Sequence, residues 1–114
     1  MNYWIIPGIK EKLTKKALLQ KIMAIVSEET GIEIDEIKGR NRYNDIVKAR
    51  QFFCHLSKTF EVRLKMNISL TMIGKEINKD HTTVIHAINK CNDFLCTEPD
   101  YKEEYDLIKK NIKL

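Results

Sequence analysis

Apolar residues recur along the chain at helical spacing, in stripes separated by short polar breaks. Leu18, Leu19, Ile22, Met23, Ile25 and Val26 share one broad face, with Thr14 placed to cap its start and Gly31 to stop it. A short piece, IEIDEIKG, follows, in which Asp35 can cap a turn carrying Ile37. RNRYN then breaks the period and reads as a polar, basic loop. Past Asn44, expected as an N-cap with Asp45 favouring the helix dipole, apolar positions return at Ile46, Val47, Ala49, Phe52, Phe53, Leu56 and Phe60. This is the longest and most apolar run, and it predicts the spine of the core. EVRLKMNI fits either a continuation of that helix or an irregular loop.

Ser69 can cap a short helix with Leu70, Ile73 and Ile77 inward, and Asn78-Lys79 then make a tight turn. Asp80 can cap the next helix, whose inward stripe is Val84, Ile88, Cys91 and Leu95. Pro99 stands where a first helical turn tolerates it, ahead of a last amphipathic helix with Tyr101, Tyr105, Ile108 and Ile112. The expected fold is all-α, a compact bundle of five to six helices. Residues 1–13 form an N-terminal extension and 14–114 the domain. Two helices joined by a three- or four-residue turn, at about 69–95, give a helix-turn-helix.

Composition narrows the class without changing it. At 114 residues the chain has room for one core, and six Gly and Pro together leave little scope for a loop-rich β fold. No stretch approaches the ~18 apolar residues of a membrane span. The apolar YWIIPGI lacks the flanks of a signal peptide, so the expected location is the cytoplasm. That segment, with Trp4, is expected to pack on the chain's own core, or else to dock a protein partner. Three cysteines without a secretion signal point to reduced thiols.

Net charge is +4, but Lys38 to Lys65 hold eight basic residues against Asp45 and Glu61. Such a local excess fits a polyanion-binding face or a solvated helix surface. The polar lead of the Asp80 helix adds chemistry. In a recognition helix the first turn meets base edges, and Asp80, His81 and Thr82 carry the donors, acceptors and methyl that such reading needs. Thr83 and the unpaired N–H groups of that turn suit a phosphate oxygen.

DHTTVIHA at 80–87, with SLTMIGKEI at 69–77 and IVKARQ at 46–51 upstream, closely resembles the C-terminal DNA-binding domain of the bacterial replication initiator DnaA. The likeness runs from about Leu18 to Leu95. It implies a helical bundle around a helix-turn-helix that binds double-stranded DNA at a short AT-rich box. By that resemblance Asp80, His81 and Thr82 read bases in the major groove, and Arg42 enters the adjacent minor groove. Thr83, Lys48, Arg50, Gln51, Arg40 and Lys79 lie against phosphates. About five such contacts imply a salt slope near about −4 to −5. The implied setting is the nucleoid, and the role that of an accessory or regulator of replication initiation or of transcription.

Three departures from the family pattern stand out: Thr71 where proline is common, extra residues around 61–67, and a turn before Asp80 one residue short of a glycine-containing one. The chain also lacks a G-x-x-x-x-G-K-[ST] phosphate loop, so the expectation is a free-standing reader, as suits a bacterial or phage protein. The competing reading is a protein-interaction module that kept the fold but not the DNA. No catalytic set is present. His81 and His86, five apart, do not share a helix face for zinc, so no metal and no cofactor are expected. His86 reads as a packed or hydrogen-bonded helix residue, and Cys91, Tyr101 and Tyr105 as core.

Overall fold

Three helix starts are set by the side chains expected to cap them. Thr14 Oγ1 accepts from the Ala17 N–H at 3.0 Å, Ser69 Oγ from Met72 at 3.2 Å, and Asp80 Oδ1 from Thr83 at 2.9 Å. A computed structural model describes residues 14–113. The expectations for Trp4 and the YWIIPGI segment lie outside them. The elements are α1 (Lys15–Thr30), α2 (Ile34–Ile37), α3 (Asn44–Leu64), α4 (Leu70–Glu76), α5 (His81–Thr97) and α6 (Pro99–Asn111). Among the described residues all regular structure is helical.

Gly31 ends α1 in the left-handed region at φ +75°, its N–H donating to the Ser27 carbonyl at 2.9 Å. Pro99 opens α6, as its missing N–H allows. Two expected caps are not caps. Tyr43 holds the cap position before α3, with no side-chain bond, and Asn44 is the first helical residue. Asp35 lies inside α2, after Glu33. EVRLKMNI divides between the two readings: the helix continues to Leu64, and Lys65 at φ +55° then turns the chain. Beyond it Ile68 plugs back into the core, 1% exposed.

α3 is the spine. Phe52, Phe53, Leu56 and Phe60 are at most 1% exposed, each contributing about 1.5–3 kcal/mol of transfer free energy. α1 and α5 pack on α3, and α6 lies against α5 and α1 and reaches the middle of α3 with its tyrosines. There Phe52 meets Tyr101 and Tyr105 at centroid distances of 4.8 and 5.8 Å, as expected of core tyrosines. His55 ties α3, α5 and α6 together, 2.6 Å from both the Tyr105 hydroxyl and Asn92 Oδ1. Burial lowers its pKa, and a neutral ring that accepts from Tyr105 and donates to Asn92 satisfies both nitrogens. Among the described residues no helix is long and apolar enough to cross a membrane.

Candidate nucleic-acid interface

α4 and α5 are joined by Ile77, Asn78 and Lys79, with Asp80 already the N-cap of α5. So short a link must fold back tightly. Ile77 and Lys79 both donate to the Gly74 carbonyl, at 3.1 and 2.9 Å, and Asn78 takes φ +56°. Asn tolerates that left-handed conformation better than most residues. The turn crosses directly over Gly74: a Cβ there would overlap the Lys79 carbonyl oxygen and stand 3.3 Å from that of Asp80. The glycine this turn needs is therefore not in the turn but one helix earlier.

Val84 and Cys91 are wholly buried, with Ile88 and Leu95 packed beside them, and this fixes the rotation of α5. Asp80, His81, Thr82 and Thr83 are left exposed at its leading end. The Thr83 N–H donated to Asp80 holds that carboxyl below its ordinary pKa, so it stays an acceptor across the neutral range. Two residues join this face that the sequence reading left out of it. Ile85 is 39% exposed, three and four positions after Thr82 and His81. His86 is exposed too, where a packed or hydrogen-bonded ring was expected. Counting helical positions outward from the Val84 stripe could have found both.

The basic loop is built from the inside. Arg50 lies under it and makes four hydrogen bonds to backbone carbonyls: Nε to Ile37 at 2.7 Å, Nη1 to Asn41 at 2.6 Å, and Nη2 to Gly39 and Glu36 at 2.8 and 3.1 Å. The loop thus curls round one guanidinium, leaving Arg40 and Arg42 exposed. Tyr43, beside Arg42, is 73% exposed. Lys79 reaches across from the helix-turn-helix, its ammonium donating to Gly39 at 2.6 Å and more loosely to Ile77 at 3.4 Å. Burial first, then the charges of Arg50, Arg40 and Arg42, lowers the Lys79 pKa, as befits an ammonium set among cations. Loop and leading turn are neighbours.

Four expected phosphate contacts change character. Arg50 is 8% exposed, with four of its five N–H groups bound to carbonyls. Its carbonyl bonds shape the loop from beneath. Gln51, 7% exposed, accepts from the Tyr101 hydroxyl at 2.8 Å and belongs to the core. Lys48 pairs with Glu104 at 2.7 Å, in a shallow groove with Phe94 and Tyr101. Phe94 lies about 20 Å along α5 from its leading end. Lys79 is half-buried on carbonyls and acts first on the loop. The basic excess between 38 and 65 is accordingly not one patch: Lys58 pairs with Glu61 and Arg63 lies over the Phe60 ring.

A short helix, a tight turn and a second helix with an exposed polar lead, set beside a basic loop, define a helix-turn-helix domain of the nucleic-acid-binding class. Residues 19–91 match the family described as bacterial dnaA protein helix-turn-helix, and the chain belongs to that family. It is 40% identical, over 80 residues, to the chromosomal replication initiator protein DnaA of Ureaplasma parvum serovar 3. That match covers 69% of this chain and 16% of the relative, so the chain spans a small part of the longer protein.

Proposed function

We propose that the chain binds double-stranded DNA sequence-specifically, at a box resembling that of the initiator, and grips it at two points. α5 enters the major groove with Asp80, His81 and Thr82 on base edges and Thr83 on a phosphate. Ile85 offers an apolar face to thymine methyls. Arg42 enters the neighbouring minor groove, whose potential is most negative in AT-rich sequence, with Arg40 on the flanking backbone. The observation that carries this reading is the adjacency of the exposed Arg40–Arg42 loop to the exposed leading turn of α5. The proposed role is that of an accessory or regulator at initiator boxes, acting in replication initiation or transcription by occupying the site.

Selection of bound sequences from random duplexes tests binding and target together. A single enriched box with an AT-rich flank supports the reading. No enrichment over a shuffled control removes it and leaves the protein-interaction alternative. On the selected box, Thr82→Ala or His81→Ala should cost about 1–3 kcal/mol, with little change on random DNA. Equal losses on both would mean that neither residue reads bases.

The reassigned cations also shift the salt dependence. With Lys48 and Arg50 removed from the phosphate set, two or three cationic contacts remain. The slope of log affinity against log salt should be about −2 to −3, shallower than the sequence alone implied. Arg42→Ala should reduce it by about one unit and should weaken binding most when the flank is AT-rich. A loss indifferent to the flank would make Arg42 an ordinary phosphate contact.

A further inference from the structure

Two hydrogen bonds join segments forty residues apart at the seam between the loop and the helix-turn-helix: Lys79 Nζ to the Gly39 carbonyl, and Asn78 Nδ2 to that of Lys38 at 3.4 Å. Gly39 is the shared point, since its carbonyl also accepts from Arg50 Nη2. From one side Arg50 fixes the curl of the loop. From the other, Lys79 fixes that curl against the turn leading into α5.

We propose that Lys79 is a positioning residue that, with Arg50 beneath it, holds the Arg40–Arg42 loop at one offset from the leading turn of α5. The protein then accepts only DNA targets whose AT-rich flank and base-read core stand at one spacing. The inference rests on the DNA-binding reading above and adds to it a rule about the target.

The chemistry of the seam favours positioning over simple attraction to phosphate. An ammonium among three guanidinium groups is repelled into solvent unless something fixed holds it, and here backbone carbonyls do. Carbonyl acceptors are immobile in a way that side-chain carboxylates are not, so the bond transmits position. The other end is equally firm, because the turn bearing Lys79 is pinned over Gly74. Two grips held at a fixed offset engage in one event, each already placed when the other binds. On a duplex, one added base pair moves the flank by about 3.4 Å and turns it by about 35°. A rigid seam cannot follow that displacement; a loose one can.

The test uses the full chain and the duplex recovered by selection, alongside versions with one base pair inserted or removed between core and flank. The wild type is expected to lose about tenfold or more on either change, the worth of one good groove contact. K79M lowers affinity for every duplex through its lost charge, which cancels in the ratio, and its spacing penalty should fall to within about threefold. K79R, which can still donate to Gly39, should restore the wild-type ratio. An unchanged ratio in K79M overturns the proposal. Without DNA, amide exchange of Lys38 and Gly39, whose N–H groups donate to the Ile34 and Glu36 carbonyls, should quicken in K79M while α5 stays protected, and unchanged exchange there counts equally against it. Failure of the wild type to enrich any sequence is a different result, and it strikes the DNA reading itself.

Discussion

Gly74→Val is expected to prevent the helix-turn-helix from closing, and Gly74→Ala to destabilise the chain by about 2 kcal/mol or more. Two effects oppose each other at this position. Alanine in place of glycine inside a helix gains about 1 kcal/mol of propensity. Against that, a Cβ at 74 overlaps the Lys79 carbonyl oxygen, a backbone atom in a turn already fixed by two bonds to the Gly74 carbonyl. Backbone cannot rotate aside as a side chain does, so α5 must lift from α4. The overlap wins. Urea unfolding of both variants measures the effect, with Gly31→Ala as a comparison: there a Cβ meets nothing within 4 Å and the cost is only that of a left-handed φ. A Gly74→Ala chain more stable than wild type would show that the turn does not cross this residue.

Arg50→Met should cost about 3 kcal/mol and loosen the basic loop. Methionine fills much of the volume, so the loss reports the four carbonyl bonds more than the packing. Each orphaned carbonyl costs about 1–3 kcal/mol if it stays dry, and those near the surface recover part of that from water. Arg50→Lys should recover less than half of the loss. One ammonium cannot span acceptors on Glu36, Ile37, Gly39 and Asn41 in the plane that a guanidinium fork reaches. Chemical denaturation gives the stability, and amide exchange over 38–42 gives the loop. Full stability in Arg50→Lys would mean that charge, not the fork, is what the loop requires.

Much of this architecture was legible in the sequence because local chemistry and global fold agree. The caps at Thr14, Ser69 and Asp80, the stop at Gly31 and the start at Pro99 stand where single residues announced them. The Val84–Cys91 stripe then fixed which end and face of α5 stay open. The burial of Arg50 had a sign in the sequence. Four residues after Ile46 and four before Cys54, it stands inside the apolar arc of α3, and a polar residue there must be satisfied internally, here by carbonyls. Gln51 gave no such sign: it lies on the polar arc with Lys48, His55 and Lys58, and is covered by the Tyr101 hydroxyl of α6. The partners themselves could not be read, because they lie 9 to 14 residues away for Arg50 and 50 away for Gln51. Lys48 shows the same blindness: nothing local foretells Glu104. The extent of EVRLKMNI stayed open because its end depends on Lys65 taking a left-handed φ, which lysine does not advertise.

The way Arg50 holds the loop bears on how such a domain diversifies. Every acceptor it uses is a main-chain carbonyl, a group common to all residues, so these four bonds ask nothing of the exposed side chains at 40 and 41, whereas Ile37 is held by the core and Gly39 leaves little room for a Cβ. Shape and readout are thereby uncoupled. Arg40 and Arg42 can be exchanged, gaining or losing charge, while the frame that presents them persists. Much of the constraint instead falls on one buried guanidinium in α3, so exchanging the exposed side chains at 40 and 42 is expected to cost far less stability than any change at the residue beneath them.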